Sequence, residues 1–471
     1  MTYPSLHLFG VLVFSLLTAA PSPTPGPAPG WKAEAGPARS DRLQHVLATV
    51  DGSLTPELRQ SKDSDMADSP FKFFRGTAYL FHRDLASQKL IEASRFNKPE
   101  TATWVQGDLH ALNFGSFDDD QGNVVYDLND FDEAWVASYL RDVWRAAVSI
   151  AIVSHSAHLT PEDTGAAVDA FAGSYLDTLE SYRGNDHEKQ AEITATEAQP
   201  PLKKFLGDVA QKNSRKKMID KWTEARTLKI GKNLAPATED EKKALIAAIS
   251  VYKDSLSSGL KGKTGYFTML DVARRINAGT GSLGTPRFYV LIQGATTEPD
   301  DDHILDVKRQ GMPSVQANLS GAEKGNRIPA QYATKDGQGC RVAAAQRALL
   351  TRVDDHLGCL SMLGSSWSVR ERSPFKDDLE DNLASIAATK EAWQSLARQW
   401  GRILATDHAR GNLNPGLILA PGSFKEAVLG LTKDHRAEFS TEVRRFAVDY
   451  ARQVETDFNL FLELRKAHTI P

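Results

Sequence analysis

The chain has 471 residues, 41% of them hydrophobic and 25% charged, which is enough apolar material for one large core or two ordinary ones. A formal net charge of −4 gives no support for a nucleic-acid partner, which normally leaves a basic footprint. The local run Lys212, Arg215, Lys216, Lys217 reads as a solvated helix face.

The first element is a processing signal. Leu6 to Ala20 is almost wholly apolar, ends in Thr18-Ala19-Ala20 and runs into a Pro-rich stretch that closes at Pro29. An apolar segment of about 15 residues with small residues at its end resembles a signal peptide and is too short to span a membrane comfortably. No basic residue precedes it, and no Cys follows the small residues to carry a lipid. Residues 1–20 are therefore expected to be a signal peptide and 21–39 an extended linker. The chain is then exported, periplasmic or secreted, with no stable membrane span after cleavage, and cytoplasmic only if the segment is not a signal.

Ser40 to Val50 and Leu54 to Lys62 predict short helices, followed by the aromatic and basic segment Ser69 to Gly76 and an apolar helix through Leu80 and Leu85. From Tyr139 to Ser154, apolar residues at Leu140, Val143, Trp144, Ala147, Val148 and Ala151 keep helical spacing and predict a core helix. Asp142 and Arg145 share one face of it and read first as structural ion-pair partners and second as site residues. Thr160 to Ser258 is helical and polar, broken at Pro200-Pro201, and carries no chemical motif. Strands follow at Arg287 to Gln293 and His303 to Lys308, joined by the polar turn Glu298 to Asp302. Arg341 to Leu357 predicts a helix, Trp367 to Glu371 a strand, and Trp393 to Ala405 and Ser440 to Lys466 two more helices. Cys340 and Cys359 fall at opposite ends of the first of these helices, too far apart to bond, so two buried free thiols are expected. Two Cys without clustered His also fall short of a zinc set.

The chemistry concentrates in 104–135. Asp108 and Asn113 stand in D-L-x-x-x-N, the tail of a kinase catalytic loop, after Gly107 and the apolar run Ala102 to Val105. Asp118 to Asn123 is a hairpin turn rather than a calcium loop, since it lacks the spacing and closing Glu of an EF-hand. Asp127 follows strand Val124-Val125-Tyr126, as a metal-holding Asp follows its strand in kinases. Asp130 and Asp132 are alternatives for that role. Asp127, Asp130, Asp132 and Glu133 would repel one another without a cation to offset them.

A second constellation is Gly279, Gly281, Ser282 and Gly284 ahead of a strand. Glycines let backbone N–H groups approach phosphates, and a following strand fits a kinase loop better than a dinucleotide fold. Lys308 ends the next strand, where a kinase places the lysine that grips phosphates. The following helix offers Gln346 but no well-placed Glu to pair with it. His408 and Arg410, near a helix C-terminus, suit the helix dipole as well as a site.

Ser69 to Gly76, Gly107 to Gly115, Tyr126 to Glu133, Val307-Lys308, Gln346-Arg347 and His408-Ala-Arg410 together resemble the bacterial family called domain of unknown function 2252, over nearly the whole chain after the linker. The G-D-x-H-x-x-N element is similar to that of aminoglycoside and choline phosphotransferases. Arg309 and Gly411-Asn412 depart from the family pattern, which has an acidic residue after the Lys and Ser-Gly-Asp after His-Ala-Arg. The resemblance implies an α+β, helix-rich, kinase-like two-lobed fold, circularly permuted because the catalytic loop precedes the glycine loop. The expected parts are a helical catalytic lobe over 40–269, a β-rich nucleotide clamp over 270–371, and helices over 372–471 packing on the catalytic lobe. The expected function is Mg²⁺- and ATP-dependent phosphate transfer to an unknown hydroxyl on a small molecule or protein. Asp108 and Asn113 are then catalytic, Asn113, Asp127 and Asp130 hold metal, Gly279, Gly281, Ser282, Gly284 and Lys308 hold the nucleotide, and Arg75 faces the same cleft. The rival expectations are a metal-dependent phosphohydrolase using Asp108, His110 and the acidic cluster, a non-catalytic exported kinase-like binding protein, and an exported structural protein without a site.

Overall fold

The structure, a computed structural model, describes residues 30–471 except 257–258, 263–264, 277–278, 280, 282, 322, 326–327, 414–422, 468 and 470–471. The expected signal peptide, the first part of the linker and Ser282 lie outside the described residues. The fold is mixed α+β and helix-rich.

Local sequence sets the helix starts. Pro37 opens Pro37–Asp51 at a position where a missing N–H costs nothing. Thr55 and Ser69 accept from Leu58 N and Lys72 N to cap Pro56–Met66 and Pro70–Gly76. The helix Leu140–Ser156 is buried at every residue from Leu140 to Ser154, so it forms the centre of the larger core rather than its wall. Arg436–Lys466 packs along it, with Trp144 and Phe446 stacked at 4.7 Å between ring centres. Pro161–Ser181 and Lys390–Gly411 pack against each other in the same core. Arg39, fully buried, joins the first helix to the rest by pairing with Asp84 at 2.7 Å and Asp457 at 2.5 Å.

Four strands hold the chemical motif. β1 (Ala102–Val105) pairs with β4 (Trp135–Ser138), and β2 (Phe114–Asp118) forms a hairpin with β3 (Val124–Leu128). The run before Asp108 is therefore not a partner of the hairpin, but a separate ladder that brackets it.

A second layer follows. β5 (Thr223–Glu224) and β6 (Thr227–Leu228) make a small hairpin. β7 (Leu234–Pro236), β8 (Met269–Arg275), β9 (Arg287–Ile292), β10 (His303–Gln310), β11 (Gly358–Met362) and β12 (Ser365–Glu371) form one antiparallel sheet in the order β11-β12-β10-β9-β8-β7. Alternation divides its residues between two faces. Phe288, Val290, Leu305, Val307, Trp367 and Val369 bury against Leu245 and Tyr252 of the helix Glu239–Asp254. Tyr289, Leu291 and Ile304 bury against Met218, Ile219 and Trp222. Asp306, Lys308 and Gln310 continue that second face beyond its apolar part. The sheet thus recruits β7 and both of these helices from the stretch assigned by sequence to the lobe over 40–269.

The cysteines correct the sequence reading. The helix runs over Gln338–Leu349, starting earlier and ending sooner than Arg341 to Leu357. Asp354 accepts from the backbone N–H of His356 and of Glu371, fastening a turn where helix was expected. Cys340 lies in the first helical turn, the chain doubles back into β11, and Cys340 and Cys359 form a disulfide with Cα atoms 5.0 Å apart.

Candidate functional site

A cleft of about 510 Å³ opens between the β2–β3 hairpin and the sheet. From the hairpin side come Asp108, Asn113, Asp130, Asp132 and Glu133. From the sheet side come Arg287, Lys308 and Gln310, with Gly279, Gly281 and Thr285 from the loop between β8 and β9. Arg75 also lines the cleft and reaches Glu380 at 3.3 Å.

The Asp108 loop is held from behind by a fixed anion. Asp142 is fully buried and accepts from Gln106 N at 2.6 Å and Gly107 N at 2.9 Å. His408 approaches the same carboxylate at 3.3 Å and is itself 2.9 Å from the Tyr175 hydroxyl. Gly107 has φ +90°, and a Cβ there would lie 2.2 Å from Glu133 O, so both backbone hand and space require glycine. Asn113 donates from Nδ2 to Asp108 O at 2.8 Å, which closes the loop and leaves the amide oxygen as its acceptor end.

Arg145, read from sequence as structural, donates to the Asp108 carboxylate from Nε at 2.8 Å and also from Nη2. Its guanidinium lies over the Phe74 and Phe81 rings at 4.1 and 5.0 Å. Burial pushes the Asp108 carboxyl up to about 7, Glu133 and Asp130 add to that, and Arg145 opposes it. A carboxyl poised there can take a proton near neutral pH.

Across the cleft, Lys308 pairs with the Asp132 carboxylate, whose other oxygen accepts from Gln310 Nε2 at 2.8 Å. Lysine and amide together hold Asp132 below the ordinary carboxylate range despite its burial. Arg341, fully buried on Gln338–Leu349, donates to Asp132 O at 2.8 Å, to Gly311 O at 3.1 Å and to Ala134 O. One guanidinium therefore joins the acidic turn to the end of β10. Gln346 lines a small pocket beside Lys308 and Asp132.

Asp127 is not brought into this cleft. It sits opposite Gly115 in the hairpin, on the side that meets Lys390–Gly411, and lines a separate small pocket with Asp407 and Arg410. Arg410 reaches Asp127 at 3.6 Å and also pairs with Asp407. Burial raises both carboxyls, and the two share one hydrogen bond. Of the expected metal set, Asn113 and Asp130 line the cleft, while Asp127 joins a carboxyl pair behind it. Gly284 also stands outside the lining. Its φ is +77°, and a Cβ there would lie 2.5 Å from Leu54 Cδ2, so it packs the loop against the helix Pro56–Met66 and its N-terminal flank.

The family model described as an uncharacterized protein conserved in bacteria (DUF2252) matches residues 54–464. The chain belongs to the DUF2252 family. No curated protein and no solved structure matches it.

In this DUF2252 chain, the residues that sequence reasoning underweighted are Arg145, Gln310 and Arg341. Gln310 was detectable, because it stands two residues beyond Lys308 on a strand and so on the same face. Arg341 gave no signal beyond being a charge on an apolar helix. The sequence also hid a cluster at the far end of the sheet, where the ligand-capable atoms of His303, His356 and Glu371 lie within 4.8 Å of one another. Arg215 donates to His303 Nδ1 at 2.8 Å and pairs with Glu371, so an arginine already supplies the cation there. Burial works to lower His356, but the Asp354 and Glu371 carboxylates, each 3.4 Å from its Nδ1, outweigh it and push His356 up to about 9.

Proposed function

We propose that the cleft transfers a phosphoryl group from a nucleoside triphosphate to a hydroxyl acceptor, on a kinase-like scaffold whose chain order is permuted. The observation that carries this reading is the meeting of Asp108, Asn113, Asp130 and Lys308 around one cavity although they come from opposite halves of the chain. The order of elements supports it. Three antiparallel strands, β8, β9 and β10, carry a glycine loop between the first two and a lysine on the third. A helix and a further hairpin, β11–β12, follow. A kinase lysine occupies the corresponding third strand. The kinase comparison is an analogy of arrangement.

In this mechanism the acceptor hydroxyl lies against Asp108, whose carboxylate takes its proton as the new O–P bond forms and the bond from the γ-phosphorus to the bridging oxygen breaks, releasing the nucleoside diphosphate. Arg145 fixes the carboxylate's direction from behind. Gly279, Gly281 and Lys308 approach the phosphates. The donor set fits Mg²⁺, a hard cation that prefers oxygen ligands, through the Asn113 amide oxygen and the Asp130 carboxylate. Bound there, the cation would offset charge on the phosphoryl group. Asp132 is held by Lys308, so phosphate binding exchanges one lysine contact for another.

The Cys340–Cys359 disulfide supports export, since such bonds persist in oxidising compartments. Export, with the two self-neutralised pairs Asp108–Arg145 and Lys308–Asp132, favours a binding protein without turnover as the second reading.

The deciding experiment is a thermal shift with ATP and Mg²⁺ on the wild type, Lys308→Met and Asp130→Asn, paired with a phosphate-transfer assay. A wild-type shift lost in both variants supports nucleotide binding, and transfer abolished by Asp108→Asn supports catalysis. A wild type that ignores ATP removes the reading.

A further inference from the structure

Beside the cleft lies a second pocket of about 240 Å³, under the segment that leaves β12. Its floor is Phe117 and Leu128 of the β2–β3 hairpin, and its wall includes Trp222 and Tyr289. Asn129, Gly279, Arg287 and Lys376 line both spaces, so the two are continuous.

The charges in this pocket do not cancel locally. Its acids have partners of their own. Asp306 pairs with Arg287, Glu371 with Arg215 and the protonated His356, and Asp354 accepts from two backbone N–H groups. Burial pushes the Asp118 carboxyl up to about 6, which weakens its charge near neutral pH. The cations Arg370, Arg372 and Lys376 are different. Among the described residues no carboxylate lies within 4.0 Å of their charged nitrogens. Arg370 donates to Asn129 O at 2.8 Å and Arg372 to Ser373 O at 3.3 Å, both neutral acceptors. Arg372 Nε is buried with no hydrogen-bond partner, and its guanidinium lies 5.0 Å from the Trp222 ring centre. Lys376 is pushed down to about 7, by enclosure in the cleft walls and then by Arg370, Arg287 and Arg372. Its side chain keeps solvent access, so crowding by like charge is the firmer of these causes. With Arg275, which also lines the pocket and donates only to neutral acceptors, four cations with no carboxylate within 4.0 Å among the described residues surround one concavity, which is out of character for a chain of net charge −4.

We propose that this pocket is an anion-binding site for a phosphate group, held by Arg370, Arg372 and Lys376. An anion there relieves the mutual repulsion of the three cations and meets planar guanidinium donors suited to a tetrahedral oxyanion. Because the pocket opens into the cleft, one molecule can place one anionic group here and another near Lys308. The site goes beyond the phosphoryl-transfer reading and stands without it, since it requires neither a nucleotide nor a metal.

The test is calorimetric titration of the full chain with inorganic phosphate, without Mg²⁺ or nucleotide. The wild type and the surface variant Lys204→Gln are expected to bind within about threefold of each other, while Arg370→Gln/Lys376→Gln weakens binding by about tenfold or more. Lys376→Gln alone keeps the test sound if the double variant misfolds, because that side chain is exposed and is expected to cost binding on its own. Arg370→Lys should recover part of the loss. A wild type that takes up no phosphate overturns the proposal. So does loss in Lys308→Gln with retention in the double variant, which puts the anion in the main cleft. An equal loss in the surface control Lys204→Gln overturns it too, by showing only non-specific attraction. Failure of the ATP thermal shift leaves these outcomes readable, since no arm contains ATP.

Discussion

Lys308 on β10 and Asp132 on the turn after β3 form the ion pair that joins the two walls of the cleft. Their side chains are 11% and 28% exposed, so the pair is partly screened but not a surface contact. Lys308→Met leaves the Asp132 carboxylate with the Gln310 amide and the more distant Arg370 charge, whereas the double variant Lys308→Met/Asp132→Asn removes both charges of the pair. The single change is expected to destabilise the fold by about 1–3 kcal/mol, and the double variant by less than the sum of the two singles. Urea unfolding of the four proteins measures the coupling.

The Asp108 carboxyl titrates near 7 and Arg145 holds it down. Phosphate transfer is expected to rise with pH through about 7 and then level, as the carboxylate becomes able to accept a proton. Arg145→Gln removes the opposing charge, so the midpoint moves upward. Folding stability runs the other way. The folded carboxyl binds its proton more tightly than the unfolded one, so its contribution is full below about 4 and lost as pH rises through about 7. Carboxyl-carbon NMR titration of Asp108 in both proteins reads the midpoint directly. A midpoint unchanged by the substitution would contradict the assigned role of Arg145.

Gly107→Ala meets two obstacles at once, a positive φ and the carbonyl oxygen of Glu133. The cost is expected to exceed about 2 kcal/mol, and hydrogen exchange should speed up at Gln106 and Gly107 as their bonds to Asp142 loosen. Gly122→Ala, also at positive φ but with open space around its Cβ, serves as the milder control.

The disulfide closes a loop of 19 residues that contains Arg341. Cys340→Ser/Cys359→Ser, or reduction of the native chain, is expected to lower stability by about 2–4 kcal/mol. Because Arg341 follows Cys340 directly, ligand binding in the cleft should weaken as well. Melting curves with and without reductant, repeated on the Ser variant, separate the two effects.

The Asp108–Asn113 loop and Lys308 were legible because each combines an unusual residue with a periodic flank. The lysine's position at the end of the second strand after the glycine loop marked it as a phosphate contact without any knowledge of the tertiary fold. Asp127 misled because a strand end has two sides. Sequence spacing gives the distance along β3 but not which side meets Lys390–Gly411, where Arg410 and Asp407 engage the carboxyl. The cysteines misled for a related reason. Apolar periodicity continues past Leu349, while the turn that stops the helix depends on Asp354 finding the backbone of Glu371, a contact that local pattern does not encode. Arg145 hid among the charges of a core helix, and only the path of the chain through Phe74 and Asp108 reveals what it holds.

Arg39 bonds Asp84, 45 positions away, and Asp457, 418 positions away, at a place with no water to take over either role. A ribosome that has released only the first half of the chain leaves this arginine and Asp84 without their third member. Trp144 likewise waits for Phe446. The larger core is therefore completed only once the helix Arg436–Lys466 docks, however early the helices before it form.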